Sequence, residues 1–101
     1  MLHRLSALQK GIVRTALDHW GANAQTDKLF EEMGELTQAL VKYRHKGASV
    51  SRRNAVLEEI ADVKIVLAQM EMLYDEDGKV DRWVAEKLER LKGTLENGGA
   101  F

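Results

Sequence analysis

The stretch Val56-Leu-Glu-Glu-Ile-Ala-Asp-Val-Lys-Ile-Val-Leu-Ala-Gln-Met70 decides how the chain is read. It is a helical sequence: at about 100° per residue, Val56, Val63, Val66, Met70 and Leu73 all fall within about 60° of one line. Glu59 lies at the centre of that apolar stripe and Asp62 about 60° to one side, while Lys64 and Ala68 fall opposite. The face this helix most needs to bury therefore carries two carboxylates. Glu58, off the stripe, reads as a solvated neighbour.

The same helical period runs through the rest of the chain. Leu2, Leu5, Leu8, Ile12, Ala16 and Trp20 form a first stripe that ends before Gly21. Leu29, Met33, Leu36, Leu40 and Tyr43 form a second, with Asn23 or Thr26 as its cap and Gly47 as its stop. Ser49 or Ser51 caps the third helix, which is expected to run to about Asp77, before Gly78. Val80, Val84, Leu88, Leu91 and Leu95 make the cleanest stripe, on a fourth helix, and residues 97–101 read as a fraying tail. With no proline and no strand pattern, four helices and short connections mean an all-α antiparallel four-helix bundle, a single domain over residues 1–96. Leu57, Ile60 and Leu67 lie off the main stripe of helix three. That is more apolar surface than one thin bundle covers, so an oligomer is expected.

Composition narrows the function. The 101 residues include no Cys, which excludes disulfides and thiolate metal sites. No apolar run approaches a membrane span, and no signal sequence is apparent, so a soluble cytoplasmic protein is expected. Fifteen basic and sixteen acidic residues nearly cancel, which argues against a binder of nucleic-acid polymers. The charges are unevenly placed. Leu36 to Leu57 holds no acid but five cations, Lys42, Arg44, Lys46, Arg52 and Arg53. Such a run complements a helix C-terminus or draws in an anionic ligand.

Helix two repeats the anomaly of helix three. In Leu29-Phe-Glu-Glu-Met-Gly-Glu-Leu36, Glu32 and Glu35 are three apart and Glu31 and Glu35 four apart, spacings at which like charges repel. Burying one ionised carboxylate costs several kcal/mol, whereas a Leu in its place contributes roughly 1.5–3 kcal/mol. Glu32, Glu35, Glu59 and Asp62 together need a counter-charge, and the inward faces of the two helices offer no Lys or Arg at matching positions. A divalent cation supplies one. Oxygen ligands select hard ions, Mg²⁺ with Mn²⁺ as a substitute. No His follows a Glu by three residues, so the di-iron signature is missing.

These residues resemble a known family. Glu31-Glu32-x-x-Glu35, then 23 residues, then Glu59-x-x-Asp62, looks like the EExxE…ExxD signature of the MazG-like all-α nucleoside triphosphate pyrophosphohydrolases. The likeness covers roughly residues 20 to 95, including Gln25 ahead of the first motif and a Lys/Arg-rich last helix. It implies cleavage of (d)NTP to (d)NMP and pyrophosphate with Mg²⁺, in a homodimer or homotetramer. It also implies Glu32, Glu35, Glu59 and Asp62 as metal ligands, with Glu31 orienting or deprotonating the attacking water and Glu35 shared between metal and catalysis. Gln25, Lys28, Lys87 and Arg90 become candidate substrate contacts, with Trp20, Phe30, Tyr43 and Trp83 available to stack on a base. Gly34, inside helix two, costs about 1 kcal/mol relative to Ala, and a close helix approach is one reason to keep it. The competing reading is a non-catalytic helical oligomer, a partner-binding module, or a nucleotide-binding regulator on the same scaffold. Five retained motif acids speak against it, since a purely structural bundle gains by replacing Glu59 with Leu.

Overall fold

A computed structural model describes residues 4–99. Leu2 of the first stripe and the last two residues of the tail lie outside that range. The chain forms α1 (Ala7–Trp20), α2 (Ala22–Lys46), α3 (Val50–Tyr74) and α4 (Lys79–Glu96), with no strand among the described residues. None of these helices is long and apolar enough to cross a membrane.

Local chemistry sets the boundaries. Ser6 closes α1 in a capping box: its Oγ accepts from the Gln9 backbone N–H at 3.1 Å, and Gln9 Oε1 accepts from the Ser6 N–H at 2.9 Å. Gly21 adopts φ +89°, which side-chain-bearing residues avoid, and lets α2 begin at once. Neither Asn23 nor Thr26 therefore caps α2. Thr26 sits inside the first turns, where its Oγ1 donates to the Ala22 carbonyl at 2.8 Å.

Between α2 and α3 the chain needs only three residues. Arg52 closes this corner by donating to the Lys46 and Gly47 carbonyls, each at 3.0 Å, and Ser49 caps α3 through the Arg52 N–H. One cation of the acid-free run thus serves the end of α2 directly. At its other end α3 stops at Tyr74, three residues short of Asp77. Asp75 ends it, because its carboxylate accepts from the Lys79 and Val80 N–H groups at 2.6 and 3.2 Å and so caps α4. The chain turns just after α4 ends. Gly98, at φ +71°, turns the chain so that the Gly98 and Gly99 N–H groups return to the Leu95 and Thr94 carbonyls.

Two 25-residue helices, α2 and α3, form the main antiparallel hairpin, each about 37 Å long. The short α1 lies across both. Val13 and Leu17 of α1 and Val66 of α3 are the buried apolar core, and two polar residues, Glu32 and Gln69, are buried with them. Helix α4 buries none of its residues. Its stripe stands open, with Leu88 58 % and Leu95 67 % exposed. Arg4 reaches Asp81 at 3.4 Å across an exposed surface, and such pairs contribute little. The radius of gyration, 16.4 Å, exceeds the roughly 13 Å of a compact chain this long. A Cβ at Gly34 would meet nothing within 4 Å, so no close approach within the chain requires that glycine.

Candidate metal and nucleotide site

The hairpin's register brings the acids together. Thr26 Oγ1 lies 3.8 Å from Met70 Sδ near one end, and Arg52 meets Lys46 and Gly47 at the other. Between these points Glu32 and Glu35 on α2 come opposite Glu59 and Asp62 on α3. One carboxylate oxygen from each of Glu32, Glu59 and Asp62 lies within 4.8 Å of the other two. Three residues make nearly one helical turn, so each pair projects from one face of its helix.

The environment of these acids is unequal. Glu32 is 5 % exposed and its Oε2 has no hydrogen-bond partner; Glu59 Oε2 is likewise enclosed and unpartnered. Asp62 is exposed. Burial, reinforced by the charges of Asp62 and Glu32, raises the pKa of Glu59 above the ordinary carboxylate value. Glu35, half-buried beside the trio, is raised chiefly by the Glu32 charge, then by burial and by Glu59. These are the marks of negative charges held closer than they would choose.

One positive charge is present after all. Lys28 Nζ lies 3.1 Å from Glu32 Oε1 and 3.5 Å from Glu31 Oε1, and these partners raise the lysine pKa. The expectation that no cation matches the inward acids is thereby corrected. A four-carbon stem one turn away carries its ammonium along the helix to Glu32. Even so, one lysine does not balance four carboxylates, and Glu32 Oε2 stays unpartnered.

The other candidate residues divide. Gln25, Lys28 and Trp20 line a cavity of about 200 Å³ whose wall also includes Glu32 and Asp62. Glu31 is exposed and not part of that wall, tied to Lys28. Lys87 and Arg90 line neither the cavity nor the acidic cluster. On α4, Arg90 pairs with Glu86 at 2.6 Å and Lys87 lies 6.0 Å from the Trp83 ring centre. Sequence reading overlooked Gln69, which is 2 % exposed and lines the same cavity. Its signal was present: Gln69 follows Asp62 by seven residues, two helical turns, and shares its face.

A divalent cation fits this donor set. Two enclosed carboxylate oxygens lack any partner, a third carboxylate is within reach of both, and every donor is oxygen, as Mg²⁺ requires. Comparison of the chain with protein-family models, with curated proteins and with solved structures finds no match.

A pH response follows from the raised carboxyls. In metal-free protein Glu35 and Glu59 bind protons more tightly folded than unfolded, so their unfavourable contribution fades as pH falls towards the ordinary value of 4.5. Melting in chelator from about pH 7.5 down to about pH 5 should show wild-type Tm gaining on that of Glu59→Gln. A gap between the two proteins that stays constant across this window would contradict the account.

Proposed function

We propose that the protein is a Mg²⁺-dependent nucleoside triphosphate pyrophosphohydrolase of the MazG-like type, cleaving (d)NTP to (d)NMP and pyrophosphate. One observation carries the reading: Glu32, Glu59 and Asp62 converge on a common point with two enclosed oxygens left unpartnered. A purely structural bundle has no use for that arrangement. The EExxE…ExxD spacing supports it from the sequence side.

In this reading Glu32, Glu35, Glu59 and Asp62 hold Mg²⁺. The bound cation supplies charge neutralisation and Lewis acidity at the phosphate oxygens. The protein's own residues do the rest. Lys28, beside Glu32 and on the cavity wall, is placed to exchange its carboxylate partner for a phosphate oxygen. Glu35, half-buried beside the trio, is the acid assigned to accept a proton from the water that attacks the α-phosphorus. The α–β bridging oxygen leaves with pyrophosphate. Glu31, exposed and ion-paired, orients that water rather than taking its proton. No protein nucleophile is required.

The enzyme is further proposed to work as a homodimer or a dimer of dimers, its helices completing a bundle between copies. The chain exposes 8208 Å², against about 5,800 Å² for a folded monomer of its 11.4 kDa mass. That excess, roughly 2,400 Å² per chain, is of the size obligate homodimers bury. Lys87 and Arg90 reach a phosphate only if α4 of another copy closes over the site.

Two measurements test these statements. Purified protein incubated with a (d)NTP panel and Mg²⁺ should release pyrophosphate, and Glu59→Gln should lower kcat by at least about 100-fold. Equal release by wild type and variant would end the enzymatic reading. Light scattering should return at least twice 11.4 kDa, and a monomeric mass would remove the oligomer.

A further inference from the structure

Helix α3 carries a second stripe, on the side away from the acids. Leu57, Ile60, Lys64, Leu67, Glu71 and Tyr74 recur at alternating steps of three and four, and the same steps run back to Arg53 and Val50. All of these residues are exposed, Leu57 at 54 % and Tyr74 at 77 %. A strict seven-residue repeat drifts only about 20° per heptad around a straight helix, and it is the pattern of a coiled-coil seam. The stripe lies about 120° from Glu59 and opposite Asp62. On α2, Phe30, Met33 and Leu40 are exposed about as far round from Glu32. Because α2 and α3 run antiparallel, rotations of the same sense bring both stripes to one side of the hairpin. Helix α1 occupies the other side, where Gln69, rotated the opposite way, meets the Val13 carbonyl.

The charges on the α3 stripe name its occupant, because the stripe is complementary to itself. Laid antiparallel on a second α3, it sets Arg53 against the partner's Glu71 and Leu57 against the partner's Leu67. Val50 then meets the partner's Tyr74, and Ile60 meets the partner's Lys64. Neither Arg53 nor Glu71 has an ion-pair partner among the described residues. Lys64 can lay its stem over the partner's Ile60 and keep its ammonium in water. Other pairings are worse. Parallel helices oppose Arg53, Lys64 and Glu71 each to its own copy, and like charges so placed repel. A slip of one heptad in one direction sets Lys64 against the partner's Arg53. In the other direction it leaves Arg53 beyond the end of the partner helix and sets Glu71 against the partner's Ile60. The surplus exposed surface, roughly 2,400 Å² per chain, exceeds the roughly 800 Å² that each partner buries in a standard interface.

Resting on the homo-oligomer proposed above, we infer that the hairpin face turned away from α1 docks a second copy of the chain. The two α3 helices pair antiparallel about a twofold axis, with Arg53 of each against the partner's Glu71. Glu32, Glu59 and Asp62 lie on the other side of the hairpin and stay outside this interface.

The chain has no Cys, so introduced thiols report the register. Leu57→Cys and Leu67→Cys proteins, mixed under reducing conditions and then oxidised, should give a disulfide-linked dimer. Neither should cross-link alone, since its own thiols would lie about 15 Å apart along the axis. In sedimentation, Arg53→Glu and Glu71→Arg should each weaken dimerisation at least about tenfold. The double variant Arg53→Glu/Glu71→Arg should recover the wild-type association. Cross-linking of either thiol variant alone, or no recovery in the double variant, would overturn the inference. A wild type that is dimeric and releases pyrophosphate, but gives no mixed cross-link, removes only this interface. The mixed cross-link without turnover removes only the enzymatic reading, and a monomeric wild type removes the interface together with the oligomer.

Discussion

Mutual repulsion among carboxylates that the fold forces together is the constraint around which this molecule is organised. Glu32 and Glu59 each hold an enclosed oxygen with no donor to meet it, and each brings a carboxylate oxygen within 4.8 Å of one of Asp62. Glu35 presses on the same space, and the proton affinities of Glu35 and Glu59 rise in response. Desolvated like charges are among the most expensive arrangements available to a small protein. This one has little core to set against them, since Val13, Leu17 and Val66 are its only fully buried apolar residues among those described. A chain so placed gains most from an added cation. The stabilisation such a ligand confers grows with its concentration over its dissociation constant, about 2.7 kcal/mol at a hundredfold excess.

The hairpin of α2 and α3 is what makes the constraint local. Antiparallel packing through a three-residue corner sets one register, and that register alone decides that Glu32 faces Asp62 rather than Lys64. It also decides that everything N-terminal to Glu32 meets everything C-terminal to Asp62. The acids and the two glutamines therefore form one continuous strip, charged at one end and neutral at the other. Lys28 sits on that strip beside both.

Much of this was legible in the sequence because helical period and glycine placement are local properties. The four stripes and the breaks at Gly21, Gly47 and Gly78 gave the number and order of the helices, although α1 begins only at Ala7 and leaves Leu5 outside it. The acidic pairs stood out because a carboxylate at the centre of an apolar stripe contradicts the pattern around it. Features that depend on reach or on competition between caps were not legible. Lys28 was misjudged because its position is not inward while its ammonium is. Asp75 ends α3 early because it binds the start of α4, and nothing in the periodicity of α3 signals that. Gln69 is a lone polar residue in a long apolar run, and its spacing from Asp62 shows a shared face but not the depth of its burial. The open face of α4 has a different cause. The cleanest stripe in the sequence predicts burial without saying against what, and α4 buries none of its residues.

The central claim is that the acidic face of α3 is held for a cation. Thermal melting of metal-free protein, titrated with Mg²⁺, addresses it most directly when wild type is compared with Glu59→Leu. The account predicts that Mg²⁺ raises the wild-type Tm by several degrees. It predicts that Glu59→Leu loses this increment and, without metal, melts above wild type. A variant that keeps the full Mg²⁺ response, or a wild type that shows none, would contradict it.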